Sequence, residues 1–360
     1  MASWFRRYLV PGLVFQSISI AGGYGTGREL AEFFLKYGPV GGLLGLLLPT
    51  TILVSIACMV AFELARIFRT YDYKSFIQVL LGRGWFLYEI AYLTSVLIVL
   101  AVIGAATGAL VTESFNIPGY VGTAILLAAI AFLTFKGTKV IEGVLSFWSF
   151  VLYAIYITIF AFSLLKFGPA IRNTISDNLV IEGWALSGLR YGSLQLALIP
   201  AILFATSHIT RRKEAIIAGA LTGPILTTPA ILFFVAMLGH YPEIAGQTVP
   251  VNFLLQALGS PALQIAFQLV LIGTFIETGT GIIHAFNERI AGAMRSIGKQ
   301  LPVYMRPLTA LAIVILALLL SQVGLIDLIA VGYGALTWVF FFIFIVPLLT
   351  VGVWKILQQR

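Results

Sequence analysis

Charged residues are scarce in this chain, and their scarcity excludes most classes of soluble protein. Only 10% of the 360 residues are charged and 60% are hydrophobic, with a mean hydropathy of +1.02, whereas a soluble domain has about 25% charged residues. Cysteine occurs once, at Cys58, so an intramolecular disulfide framework is excluded. Several apolar runs exceed the ~18 residues that mark a membrane-crossing helix. The composition predicts an all-α polytopic membrane protein embedded in a lipid bilayer.

Ten transmembrane helices are predicted from the apolar runs. Their bounds lie near residues 9–36, 39–66, 86–112, 117–134, 140–165, 188–209, 213–239, 262–288, 304–321 and 325–354. Two further apolar stretches, 74–82 and 251–259, are too short to cross a membrane. We expect these two to form re-entrant or interfacial helices.

The basic residues lie mainly on one side of the predicted spans. Seventeen lysines and arginines fall in loops on that side, and Arg28 lies within span 1. The opposite side has only four, which are Lys36, Lys166, Arg172 and Arg190. Because basic loops stay in the cytoplasm, both termini are predicted to be cytoplasmic, in a multi-pass protein of the cell (inner) membrane. The net charge of +8 therefore reflects membrane topology, and no nucleic-acid partner is expected.

The two halves of the chain show a weak internal repeat. An offset of 177 residues places Thr50 and Thr51 on Thr227 and Thr228. The same offset aligns the two short helices through a shared Phe-x5-Gly pattern. Because each copy contains five spans, an odd number, the second copy must cross the membrane in the opposite sense. Inverted repeats of this kind are typical of transporters.

The repeat also divides the chain. We expect one transmembrane domain over residues 1–360, with repeat 1 over about 8–165 and repeat 2 over about 188–355. Residues 166–187 are polar by the standards of this chain and form the expected external connector. An ordinary surface loop is the alternative for this stretch.

Glycines crowd the middle of predicted span 1. Four of the six residues from 22 to 27 are glycine, and each costs about 1 kcal/mol relative to alanine in a helix. We therefore expect this helix to be interrupted. Backbone N–H groups freed by the break suit an anion such as a carboxylate, and freed carbonyls suit a cation. A glycine face for tight helix packing is the alternative.

A second interruption is expected in predicted span 6. The repeat offset places Gly23–Gly27 on Pro200–Phe204. Proline removes a backbone donor and kinks or breaks a helix, so Pro200 coincides with the position where the repeat predicts a break. An ordinary proline kink of a membrane helix is the alternative.

Two ionisable residues lie deeper in the predicted spans than the others. A charge at the bilayer centre costs about 2.5–3.5 kcal/mol on insertion scales, which indicates a function for Arg28 and Glu277. Arg28 either holds an anionic substrate group or neutralises an acidic partner. Glu277 belongs to a polar stripe of span 8 that predicts an ion- or water-lined path, formed by Thr274, Glu277, Gly281, His284 and Glu288. A structural Arg28–Glu277 pair is the alternative.

The nine residues from Ala21 to Glu29 resemble a known signature. Their pattern of small-small-Gly-aromatic-small-hydroxyl-Gly-x-Glu is similar to that of the YkvI-type amino-acid permease family. This family is placed in the amino acid–polyamine–organocation superfamily, which has the LeuT-type fold. The resemblance implies a 5+5 inverted repeat in which helices 1 and 6 are interrupted. It also implies a substrate held between the two breaks and a coupling ion held between helices 1 and 8.

The resemblance assigns candidate residues to both sites. The expected substrate-binding residues are Gly23, Tyr24, Gly25, Thr26, Gly27, Arg28, Pro200 and Phe204. The expected ion-coupling residues are Ala21, Gly22, Thr274, Glu277, Thr278 and His284. Glu277 stands where the family pattern has a hydroxyl residue, so the coupling ion is expected to be sodium or a proton. Arg28 replaces a neutral residue of the family pattern, which shifts the expected preference toward anionic substrates.

These observations predict a cation-coupled secondary transporter of an amino acid or related small organic solute. The three histidines have no metal-ligand spacing and no nucleophile motif occurs, so we expect neither an enzyme nor a bound metal cofactor. Two alternatives remain open. One is a ligand-sensing receptor subunit of the same fold, as spore-germination receptor subunits resemble it. The other is an inorganic-ion transporter that uses Glu277 and Glu29 as ligands.

Overall fold

Helices form every regular element of the described chain. The computed structural model describes residues 3–20, 22–136, 139–296, 302 and 304–359. In chain order the helices are α1 (Ser3–Tyr8), α2 (Val10–Ser19), α3 (Gly22–Gly25), α4 (Arg28–Phe33), α5 (Pro39–Phe68), α6 (Tyr73–Leu81), α7 (Trp85–Phe115), α8 (Gly119–Lys136), α9 (Lys139–Ser176), α10 (Trp184–Leu196), α11 (Ile199–Thr206), α12 (Arg212–Met237), α13 (Pro250–Leu258), α14 (Pro261–Ser296), α15 (Met305–Ser321) and α16 (Leu325–Gln358). The predicted all-α class is confirmed for these residues.

Many of the helices are long and apolar enough to cross a membrane. Six helical segments meet this condition among the described residues, and the bent pair α10–α11 makes a seventh. Three predicted spans correspond to shorter apolar helices, which are Val10–Ser19, Gly119–Thr134 and Met305–Ser321. A protein with several membrane spans is thus confirmed, and the number ten stays a prediction.

Helices α5 and α12 cross as antiparallel neighbours near the middle of the molecule. The hydroxyl oxygens of Thr51 and Thr227 lie 2.9 Å apart in a hydrogen bond. One turn further along α5, Ser55 donates a hydrogen bond of 2.9 Å to the carbonyl oxygen of Ala220. Small and hydroxyl residues at this crossing allow close approach of the two backbones, as in other membrane helix pairs.

Gly219 is where the α5–α12 crossing tolerates no side chain. A Cβ atom at this position would lie 2.4 Å from the backbone nitrogen of Met59. We expect Gly219→Ala to lower the free energy of unfolding by about 2 kcal/mol or more, because a backbone must move to relieve the overlap. Thermal unfolding of the purified protein in detergent measures the effect.

The matched control is Gly168→Ala, also within a helix, where a Cβ would meet nothing within 4 Å. This variant should melt at the wild-type temperature or slightly above it, since alanine favours helix. Equal melting temperatures for the two alanine variants would contradict the packing argument.

The predicted connector 166–187 is largely helical, so it is not an ordinary surface loop, and its bounds stay a prediction. Helix α9 continues through Pro169 to Ser176 and leaves only residues 177–183 outside helices. The ammonium group of Lys166 donates to the carbonyl oxygens of Ala257 and Leu258, both at 3.0 Å. These carbonyls end helix α13 and have no partner within it. Lys166 therefore anchors the end of a neighbouring helix.

The two short helices lie where the sequence predicts them. Helix α6 runs from Tyr73 to Leu81 and α13 from Pro250 to Leu258. The side chain of Asp72 caps α6 by accepting a hydrogen bond of 2.9 Å from the backbone N–H of Ser75. Partial burial acts to raise the pKa of Asp72, but the hydrogen bonds from Ser75 hold this pKa below its usual value. The cap is therefore ionised at neutral pH.

Candidate functional site

The first predicted span is broken in the structure at its glycine cluster. Helix α2 ends at Ser19 and α4 begins at Arg28, with the single turn α3 between them. Gly22 and Gly27 have φ angles of +49° and +79°, a region that glycine enters without steric cost. The Thr26 hydroxyl donates to the carbonyl oxygen of Gly23 at 2.8 Å, so the segment supplies some of its own hydrogen bonds.

The second predicted break is present at Pro200. Helix α10 ends at Leu196, α11 begins at Ile199, and the two axes differ by 42°. Pro200 occupies the first turn of α11, where its missing N–H removes no helical hydrogen bond. The phenol of Tyr88 donates to the carbonyl oxygen of Ala197 at 2.7 Å. This contact satisfies a backbone acceptor that the break leaves outside the helix.

Two adjoining cavities lie beside the breaks. The first, of about 150 Å³, is lined by Ser19 just before the first break, by Ala197 and Leu198 of the second break, by Ala201 just after it and by Glu29 of α4. The second, of about 300 Å³, is lined by Glu277 and by residues of α2, α7, α9 and α14. Both cavities share four lining residues, Ile18, Tyr92, Thr278 and Ile282. The two cavities thus adjoin, and a small solute in one cavity would lie next to the other cavity.

Glu277 is half-buried and faces the larger cavity. No ion pair or hydrogen bond of this carboxylate is found within the described part of the chain. Thr274, Thr278 and Gly281 of the predicted polar stripe line the same cavity. An acidic group with no counter-ion at a cavity wall is suited to binding a cation or a proton.

Glu29 is the second acidic residue at the cavities. It is 4% exposed and lines the smaller cavity. Phenol groups of four tyrosines interact electrostatically with this carboxylate, those of Tyr24, Tyr156, Tyr191 and Tyr333. The carboxylate thus lies at the wall of a cavity between aromatic side chains.

Arg28 is not among the residues that line the two cavities, and its role in substrate binding stays a prediction. Its guanidinium donates to the carbonyl oxygens of Ala245 and Gln247 at 2.8 and 3.0 Å and pairs with Glu32 at 3.2 Å. Glu32 also pairs with Lys36. Of the alternatives for Arg28, neutralisation of an acidic partner is the one observed. That partner is Glu32, and no contact with Glu277 is present.

The contacts of Arg28 close one end of the molecule. This end carries the loops at residues 34–38, 116–118 and 241–249, and it is the predicted outer end. The backbone N–H of Val251 also donates to the carbonyl oxygen of Thr26 at 3.1 Å. The start of α13 and the loop before it therefore cover the first helix break. We call this set of contacts the outer seal.

Arg289 occupies a comparable place toward the other end. Its guanidinium lies 4.0 Å from the ring centre of Tyr73 and 3.8 Å from that of Tyr92, and it pairs with Glu89 at 3.4 Å. Tyr92 lines both cavities. The cation–π contacts thus fix the position of a cavity wall.

The other residues that the sequence predicted for the substrate and ion sites differ in their positions relative to the cavities. Phe204 is 60% exposed and lines neither cavity. Residues 23–27 and Pro200 also line neither cavity, so the substrate-binding roles of all these residues stay predictions. Residues 203–206 form a 3-10 turn, which has three residues per turn and rotates the Phe204 side chain off the expected face. His284 lies beyond the residues that line the larger cavity. Ala21 and the side chain of Glu288 are outside the described residues.

Two cavity residues, Gln195 and Tyr333, were not expected from the sequence, and neither was Tyr191 beside Glu29. Glu29 was expected to bind a ligand only in the inorganic-ion alternative. Gln195 and Tyr191 are polar or hydroxylated residues within a predicted apolar span, one to three turns before Pro200. This position was a usable signal. Tyr333 lies in an apolar span without any such marker, so its place could be found only from the structure.

Comparison of the sequence with those of known proteins identifies a similar membrane protein. No protein-family model matches the chain. The chain is 24% identical over 327 residues to the uncharacterized membrane protein YkvI of Bacillus subtilis. The aligned region covers 89% of each of the two proteins. The predicted resemblance to YkvI-type proteins is thus confirmed.

Solved structures of transporters share the fold. A manganese transporter of Eremococcus coleocola matches with a TM-score of 0.60 and 17% identity, covering 96% of this chain and 78% of that one. MhsT in complex with L-phenylalanine matches with a TM-score of 0.57 and 16% identity, covering 96% and 87%. A Na⁺-coupled sialic acid symporter matches with a TM-score of 0.52 and 14% identity, covering 94% and 84%. The chain therefore has the LeuT-type fold, and these neighbours are membrane transporters, not enzymes.

Proposed function

We propose that this protein is a secondary transporter, which moves an amino acid or related small organic solute by alternating access and is driven by sodium ions or protons. One observation carries the proposal. Two helix breaks, at residues 20–27 and 197–198, lie beside adjoining cavities, and Glu29 and Glu277 line these cavities without a basic partner among the described residues. Broken helices and unpaired charge at one place are typical of transport sites.

The α5–α12 crossing supports an inverted 5+5 repeat. The Thr51–Thr227 hydrogen bond joins residues that the offset of 177 relates to Thr228 and Thr50. In an arrangement with two-fold symmetry, the equivalent contact would join Thr50 to Thr228, at the same crossing of the same antiparallel helices. Thr50 and Thr228 bond elsewhere, to the carbonyl oxygens of Gly45 and Gly188 and of Pro224, so the support for the repeat is the meeting of the two threonine pairs at one helix crossing. We propose ten spans in one transporter domain, with both termini cytoplasmic in the inner membrane.

In this proposal, one set of residues binds the substrate and a second set binds the coupling ion. The segment Gly23–Gly27 would offer backbone groups to the solute, with Pro200 preserving the opposing break. Glu277 would bind the coupling cation or proton, and the hydroxyl groups of Thr274 and Thr278 would assist. Gly22, Ala21 and His284 stay proposals as ion-site residues.

The structural neighbours carry different cargoes, so the fold alone does not choose among them. Their names specify manganese, L-phenylalanine and sialic acid. Within the described residues, no group of three histidine, cysteine, aspartate or glutamate side chains is placed to hold a metal ion. Tyrosines and aliphatic side chains dominate the cavity walls instead. These walls favour an organic solute over a transition-metal ion.

Uptake into proteoliposomes tests the proposal. The purified protein is reconstituted and given radiolabelled amino acids, amines and small acids under an imposed sodium or proton gradient. We expect at least one solute to accumulate above its external concentration and to leak back when an ionophore collapses the gradient. Specific binding of a solute without accumulation under either gradient would contradict transport and favour the receptor alternative.

A further inference from the structure

The Glu29 carboxylate lies at the first helix break itself. A Cβ atom on Gly23 would stand 2.8 Å from Oε1 of Glu29, so the carboxylate touches the broken backbone where only glycine leaves room. Glu29 is 4% exposed. No basic side chain pairs with it in the part of the chain that the structure describes. A buried carboxylate without a cationic partner is energetically unfavourable, so a positively charged ligand beside Glu29 would be stabilising.

One of the tyrosines around Glu29 has hydrogen-bonding capacity to spare. Tyr24 and Tyr191 are buried, at 3% and 2% exposure. The hydroxyl group of Tyr24 has no hydrogen-bond partner among the described residues, and that of Tyr191 interacts with the Glu29 carboxylate and the Gln195 side chain. Both lie within electrostatic range of Glu29. Buried polar atoms are normally paired, so an unpaired phenol hydroxyl close to a buried carboxylate that lacks a basic partner indicates a missing ligand.

We propose that Glu29, Tyr24, Tyr191, Tyr333 and Gln195 bind the positively charged ammonium group of the transported solute. This inference rests on the proposed function and narrows its substrate class to amines, including amino acids. An ammonium group has three N–H donors, and the carboxylate and the phenol oxygens supply acceptors for them. Aromatic rings also attract organic cations through their faces. Gln195 and Tyr333 line the adjacent cavity, which leaves space for the rest of the solute.

The site also fits the expected role of the glycine segment. The Glu29 carboxylate lies beside the backbone at Gly23, so a ligand at this point of the break would meet an anion and peptide groups together. An α-amino acid carries its ammonium and carboxylate groups on one carbon atom. Its ammonium group would face Glu29 and its carboxylate would face the backbone N–H groups of the broken helix.

Equilibrium binding in detergent, without any gradient, tests the site. The probes are n-alkylamines from methylamine to hexylamine, with n-alcohols of equal length as uncharged controls, and thermal stabilisation is the readout. We expect amines but not alcohols to stabilise the wild-type protein. Glu29→Gln should weaken amine binding by at least about tenfold, because it removes a charge-assisted hydrogen bond.

Two further variants keep the test decisive. Tyr191→Phe removes only a hydroxyl group and should weaken amine binding by about three- to tenfold, even if Glu29→Gln does not fold. Glu113→Gln, whose carboxylate bonds to Asn252 outside the cavities, should bind amines as the wild type does. Equal amine binding by the wild type and by both site variants would overturn the inference, and so would the absence of any amine-specific stabilisation.

The inference and the transport proposal fail in different ways. Amine binding without accumulation in proteoliposomes would retain this site and contradict transport. Accumulation of a solute that lacks an amino group, unchanged in Glu29→Gln, would retain transport and overturn the assignment of Glu29.

Discussion

Glu277→Gln is expected to abolish gradient-driven accumulation in proteoliposomes. The substitution keeps the size of the side chain and removes its charge and its proton site. Glu277 has no ionic partner among the described residues and faces the larger cavity, so its charge does not stabilise the fold through an ion pair with them. Without this charge the cation gradient cannot be coupled to the solute, and the ratio of internal to external solute should fall to about one.

Exchange of solute without a gradient should survive in the same variant, since it requires no net ion movement. Glu113→Gln is the matched control, because it makes the same chemical change in the hydrogen-bonded network around Asn252. This control should accumulate solute normally. Wild-type accumulation by Glu277→Gln would show that the coupling role is wrong.

Arg28→Gln is expected to open the outer seal. The wild-type guanidinium makes hydrogen bonds to Ala245, Gln247 and Glu32, and one such charge-assisted bond contributes about 1.5–3 kcal/mol. Loss of even one bond would raise the population of open molecules by about tenfold or more. A cysteine introduced as Val249→Cys, at a position that is 1% exposed, should then react correspondingly faster with a membrane-impermeant thiol reagent added outside.

Arg190→Gln is the control for this experiment. Arg190 lies toward the same end but makes only long hydrogen bonds, of 3.3 and 3.4 Å, to Thr337 and Gly334. Its substitution should leave the labelling rate of Val249→Cys near that of the parent. The native Cys58 is fully buried and can remain in every variant. Equal labelling rates with glutamine at position 28 or at position 190 would contradict the role of Arg28 in the seal.

The helix breaks and short helices could be predicted from the sequence because local chemistry determines them. Gly22 and Gly27 adopt positive φ angles at the cluster where glycine was expected to end the helix. Pro200 begins a new helical segment as a proline in a first turn should. Helices α6 and α13 lie within one residue of their expected bounds, since an apolar run between polar turns limits them.

The partners of the charged residues could not be predicted, because tertiary packing determines them. The sequence predicts that Arg28 lies deep in a membrane span. Its partners, however, are two carbonyl groups of a loop more than two hundred residues away and a glutamate on its own helix. The exposed position of Phe204 depends on a change from α- to 3-10 geometry within one turn. The tyrosines near Glu29 come from four helices, α3, α9, α10 and α16, and no local pattern relates them.

In the proposed transport cycle, the cavity beside the two helix breaks opens alternately to each side of the membrane. The most direct test is thiol labelling of Ala201→Cys, a position that lines the cavity beside the second break, in oriented proteoliposomes. An impermeant reagent should label this cysteine when added to either face, and a transported solute should slow both reactions. Labelling from one face only, with or without solute and gradient, would contradict alternating access.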